Sequence, residues 1–147
     1  MNAQSASVEP STKLAKPSVG RAKAIAATIA QYLLALVFIV FGLNGFLHFI
    51  PQQMPPSENA KQFFTVMFVT KYLHFVFALQ LLGGLLFLFK RTTPLAIVII
   101  GPILVNILLF HSLMNPEGIV PGAVATVLWA VVFWRHFDVF KPIFVAK

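Results

Sequence analysis

The chain has 147 residues, 59% of them hydrophobic and only 10% charged, with a mean hydropathy of +0.86. A soluble domain carries about 25% charged residues, so this balance excludes an ordinary water-solvated domain and makes the lipid bilayer the expected solvent. No cysteine is present, which excludes disulfides, thiolate catalysis and Cys-based metal centres. The net charge of +7 is spread over the ends and connections of apolar segments, which excludes a nucleic-acid-binding stripe.

In chain order, residues 1–23 are rich in Ser, Pro, Ala and Lys and show no apolar period, the signature of a disordered tail. A secretory signal is the rival reading. The apolar run that follows is longer than the roughly 7–15 residues such a signal uses. Four apolar segments then predict membrane spans over about 24–49, 71–90, 94–113 and 119–136, with a second short tail over 141–147. A crossing of about 30 Å needs about 20 helical residues. The first segment stops at Pro51, and the third carries Pro94 in its first turn, where a missing N–H costs little. The fourth is slightly short, and Arg135 can extend it by snorkelling.

Between the first two segments, Pro51, Pro55 and Pro56 hold an irregular loop. Ser57 is a candidate N-cap for a short interfacial helix that lays Phe63, Phe64, Met67 and Phe68 on the membrane surface. One long helix bent near Lys71 is equally compatible. The expected fold is therefore all-α, a polytopic four-helix membrane bundle with short connections.

Charge sets the expected orientation. Nine basic residues (13, 16, 21, 23, 90, 91, 135, 141 and 147) fall on one side of such a bundle, against Lys61 and Lys71 on the other. The positive-inside rule puts both termini in the cytoplasm, as for a protein of the bacterial inner membrane, with Trp134 as an interfacial anchor.

Polar residues inside apolar spans are costly unless paired. Asn44 and His48, in "FGLNGFLHFIP", are four apart and would share a helix face. With His74 and His111 they fall in the outer half. Gln80 and Asn106 lie deeper, and Glu117 lies in an outer connection. These seven residues are the candidate lining of an outward-opening polar pocket. The plainer alternatives are interhelical hydrogen bonding for Asn44, Gln80 and Asn106, headgroup contact for His48, and a wet outer surface for His74 beside Lys71. Asn106 and His111, five apart, cannot both point straight at one centre. No HxxxH or HExxH spacing occurs, so neither haem nor metal is expected; a quinone-like ring is the cofactor class that sixteen phenylalanines would admit. Gly83 and Gly84 read as a close helix–helix contact.

Three stretches carry a resemblance: "FGLNGFLHFIP", "LQLLGGLLFLFKRTTPLA" and "GPILVNILLFHSLMNPEG". Over about residues 25–140 the chain resembles the DoxX-like family of small four-span membrane proteins. The resemblance implies a four-helix membrane fold. It also implies a link to membrane oxidoreductases, such as thiosulfate:quinone oxidoreductase subunits, or to oxidative-stress complexes. The family often places an acidic residue where Gln80 stands, and Gln cannot carry that charge.

Three roles follow as expectations. The first is an accessory or anchor subunit of a membrane redox system, partnered by an oxidoreductase or a second copy of itself. The others are a small-molecule binder or carrier, and a scaffold without chemistry. A carrier tends to show paired halves or broken spans, which the sequence lacks. No self-sufficient catalytic constellation is visible beyond His111 and His74 with Glu117 nearby.

Overall fold

A computed structural model describes residues 19–51 and 54–145. The tail before residue 19, with Lys13 and Lys16, lies outside the described residues, as does Lys147. Every regular element among the described residues is helical: α1 (Val19–Leu47), α2 (Glu58–Val69), α3 (Tyr72–Phe87), α4 (Thr93–Leu113), α5 (Ile119–Arg135) and α6 (Phe137–Phe144), with one 3-10 turn at Pro116–Gly118. α1, α4 and the run Pro116–Arg135 are each long and apolar enough to cross a membrane. α3, with 16 residues, is not, and it joins them only if α2 and α3 together count as one bent span.

The expected elements are present with shifted ends. α1 begins at Val19, inside the segment read as tail, and ends at Leu47 instead of continuing to Phe49. α6 occupies much of the stretch read as a C-terminal tail. The short helix after the proline loop is α2, and Ser57 caps it, its Oγ accepting from the Ala60 N–H at 3.3 Å. α2 and α3 do not form one continuous helix: they meet at 81°. Lys71 makes the break, with φ 63° in the left-handed region usually left to glycine. Its N–H bonds the Phe68 carbonyl at 3.1 Å, which closes α2, while its own carbonyl starts α3.

α1, α3, α4 and α5 form a ring, with α1 and α4 each packed against both α3 and α5. Neighbours run antiparallel. Gln31 of α1 reaches Phe87 of α3, while Phe46 lies beside His74; likewise Trp129 of α5 reaches Ile97 of α4, while Gly122 faces Ile107. The core sits between them, around Leu34, Phe38, Phe87, Ile97, Ile100 and Leu104. On α1 the buried positions Ala27, Ala30, Gln31, Leu34, Ala35, Phe38 and Gly42 repeat every three or four residues, so one stripe turns inward. The outer faces stay apolar: Leu36, Val98, Val105, Leu109, Val124 and Val127 are each more than half exposed. Contiguous apolar surface of this kind is rare on water-soluble monomers, and here it matches a lipid surround.

Small residues bring α1 and α3 together. A Cβ on Gly84 would stand 2.8 Å from the Ile39 nitrogen and 3.1 Å from the Ala35 carbonyl oxygen. One on Gly42 would stand 2.7 Å from the Leu81 nitrogen. Backbone meets backbone at both places. Gly83 faces α4 instead, where its Cβ would meet only the end of the Ile100 side chain, at 2.5 Å.

This difference separates two substitutions. Gly84→Leu should lower stability by at least about 1–3 kcal/mol, the usual cost of forcing methylenes into a packed core, because main chain cannot step aside. Gly83→Leu should cost less, since Ile100 can change rotamer. Thermal unfolding in mild detergent checks the order, and equal melting points for the two variants would contradict it.

Candidate functional site

A cavity of about 560 Å³ lies within the helix ring, in the half away from Lys90 and Arg91. Its walls come from α1, α3, α4 and α5, and α2 covers one side through Phe63, Phe64 and Met67. The volume falls in the roughly 300–1,000 Å³ range of small-molecule sites. Its wall is mainly apolar and carries several aromatic rings, Phe38 and Phe41 from α1, Phe75 and Phe77 from α3, and Phe110 from α4.

α2 is held over the cavity by a few contacts. Ser57 Oγ donates to the Met114 carbonyl at 2.7 Å and so ties the start of α2 to the end of α4. Phe63 stacks on Phe110, ring centroids 5.8 Å apart. Ala60 is fully buried beneath the helix.

Of the seven sequence-predicted residues, the cavity brings together Gln80, Asn106 and His111. Gln80 is 7% exposed, and among the described residues its side-chain amide makes no hydrogen bond. Asn106 donates from Nδ2 to the Pro102 carbonyl at 3.0 Å, a bond within its own helix rather than between helices. His111 donates from Nδ1 to the Asn115 carbonyl at 3.0 Å. A carbonyl oxygen can only accept, so Nδ1 carries the proton and Nε2 of the neutral ring is left as an acceptor. The absence of a side chain at Gly118 makes room for that ring: a Cβ there would collide with Cε1.

The other four lie elsewhere. Asn44, only 1% exposed, is taken up by the main chain: Oδ1 accepts from the Ile50 N–H at 2.6 Å, and Nδ2 donates to the Ile50 carbonyl at 3.2 Å. The expected shared helix face with His48 does not form, because α1 ends between them. His48 has φ 53°, and its N–H bonds the Asn44 carbonyl at 2.9 Å, so an αL residue closes α1. Its side chain is exposed. His74 sits between Phe46 and Phe68, with Nδ1 buried and unpartnered among the described residues. Glu117 is exposed in the 3-10 turn. Among the described residues no group of three or more His, Asp or Glu side chains is placed to hold a metal ion.

Comparison with protein-family models, with curated proteins and with solved structures finds no match to the chain.

Two polar cavity residues escaped the sequence reading. Asn115 lines the wall, and its Oδ1 is buried without a partner among the described residues. Its place before Pro116 reads as a turn signal, which hides any other use. Tyr72 lines the wall from the first turn of α3.

The structure gives Asn44 a role apart from the cavity. Asn44→Leu should lower stability by about 1–3 kcal/mol, because both main-chain groups of Ile50 lose their partners. Ligand affinity at the cavity should be unchanged. Thermal unfolding with and without an apolar probe checks both halves, and lost affinity without lost stability would contradict this assignment.

Proposed function

We propose that the protein is an integral membrane protein with four crossings, α2 and α3 serving as one bent crossing, whose cavity holds an apolar small molecule. In this reading it is the ligand-holding accessory subunit of a membrane redox system of the DoxX-like type. The cavity is the observation that carries the reading: a scaffold that only assembles partners needs no chamber of about 560 Å³ walled by five helices. The redox setting is drawn from the resemblance over residues 25–140, and a ring-shaped redox lipid such as a quinone suits a wall with several phenylalanine rings.

Orientation follows from the basic residues. Arg21, Lys23, Lys90, Arg91 and Arg135 belong to one end of the ring, and Lys61 and Lys71 to the other. We assign the first end to the cytoplasm. The cavity then lies in the outer half, beneath α2. α6 suits an interfacial position beside the cytoplasmic end: Phe140 stacks on Phe133, Phe137 meets it edge-on, Ile143 and Phe144 are exposed, and Asp138 pairs with Lys141 in solvent.

Two measurements test the reading. Purification in mild detergent, followed by mass spectrometry of the lipid extract, should show one apolar compound retained in proportion to protein. Met67→Trp, which fills the chamber from α2, should lose it; equal retention would place the compound outside the cavity. Reporter fusions after Lys90 should report cytoplasm and fusions at Glu117 the opposite side. A cytoplasmic signal at Glu117 would overturn the four-crossing arrangement.

A further inference from the structure

The polar groups of the cavity restrict what it can hold. Elsewhere in the ring, buried polar side chains other than His74 find main-chain partners. At the His111 end of the cavity two acceptor atoms, His111 Nε2 and Asn115 Oδ1, have none among the described residues. His111 Nδ1–H is committed to the Asn115 carbonyl at 3.0 Å, which leaves Nε2 unprotonated and without a partner among the described residues. Asn115 Oδ1 beside it is buried and also unpartnered among them. The ring is seated with its Nδ1–Cε1 edge against Gly118. A guest reaching this end therefore meets lone pairs beside the Asn115 amide N–H. One that brings only a carbonyl or ether oxygen would leave Nε2 unpaired at a cost.

The rest of the wall selects for shape. Phe63 and Phe110 are stacked at 5.8 Å, and further phenylalanines from α1 and α3 complete an aromatic chamber. Flat rings pack edge or face against such walls. Gln80, deeper in the wall with an uncommitted amide, can accept or donate at the far side of the guest.

We infer that the cavity selects an apolar aromatic ring bearing a hydroxyl group, a phenol or hydroquinone, over the corresponding quinone or ether, with His111 Nε2 accepting the hydroxyl proton in a hydrogen bond. The inference rests on the proposed ligand-holding role and names its chemical class. No bond is made or broken: the ring is held in its reduced, donor-bearing form.

The test compares three probes on the full-length protein in mild detergent by titration calorimetry: a para-alkylphenol, its methyl ether, and a benzoquinone with the same alkyl chain. The phenol should bind about five- to tenfold more tightly than the ether, the worth of one neutral hydrogen bond, and more tightly than the quinone. His111→Asn keeps an N–H donor near the Nδ1 position and removes Nε2. It should abolish the preference, so that the phenol binds no more tightly than the ether. Asn115→Ala keeps the carbonyl that orients His111 and removes the side-chain amide with its second acceptor; it should reduce the preference in part, and it gives a second reading if His111→Asn does not fold. Equal binding of phenol and ether by the unaltered protein, or tighter binding of the quinone, would overturn the donor inference and leave the cavity a ligand site. Failure of all three probes to bind would overturn the ligand-holding role as well.

Discussion

The carbonyl of Phe87, at the C-terminal end of α3, has no helical N–H to accept from, and Gln31 on α1 supplies one at 2.7 Å. That bond represents the constraint under which the whole ring is built. In apolar surroundings each main-chain group released at a helix end needs a partner from the protein itself. The same end of α3 is closed further by Thr92, whose Oγ1 donates to the Leu86 carbonyl at 2.7 Å, and by Thr93, which donates to that of Phe89 at 3.1 Å. Trp129 on α5 donates to the Ile97 carbonyl of α4, and the Arg135 guanidinium reaches the Ala24 carbonyl of α1. Among the described residues, apart from the ion pairs Glu58–Lys61 and Asp138–Lys141, the side-chain hydrogen bonds go to main-chain groups.

This use of polar groups explains why the cavity stands out. Main-chain closure absorbs Gln31, Asn44, Ser57 and Thr93, all of them in loops, at helix ends or facing the ends of other helices. Gln80, His111 and Asn115 line the cavity, and each keeps an atom without a partner among the described residues. Their unpaired atoms are thus a local exception to a rule kept elsewhere. His74 Nδ1 is the remaining exception, enclosed by Phe46 and Phe68 next to the bend at Lys71.

Much of the architecture was legible in the sequence because apolar runs of membrane length leave few alternatives. Ser57 announced α2, and the Gly83–Gly84 pair announced a close contact. What stayed hidden depended on backbone conformation. The two left-handed residues are His48 and Lys71, and neither is the glycine or asparagine that would have signalled a helix end. Without that signal, α1 ran on past Leu47, so Asn44 and His48 looked like two residues of one face. α6 was missed because its eight residues follow Arg135, where a span should end, and its alternation of Phe with Asp and Lys is too short to register as a period. At the cavity, Gln80, Asn106 and His111 were found from depth alone. Asn115 was not, because a residue beside Pro116 already has a local explanation.

The shortness of α3 bears on the surrounding lipid. Its sixteen residues rise about 24 Å, against a hydrocarbon thickness of about 30 Å. α1 and α4 on either side are long enough for the full thickness, and α5 stands across the ring. Set upright in a bilayer with α3 as a crossing, the protein would present a low wall along α3. Acyl chains along that flank must shorten or splay, or the whole ring must tilt to raise it. Either response makes the annulus of lipid unequal around the protein, with thinner or shorter-chained lipid gathered beneath α2. Apolar molecules dissolved in the bilayer would meet their shallowest barrier there, on the side where α2 covers the chamber.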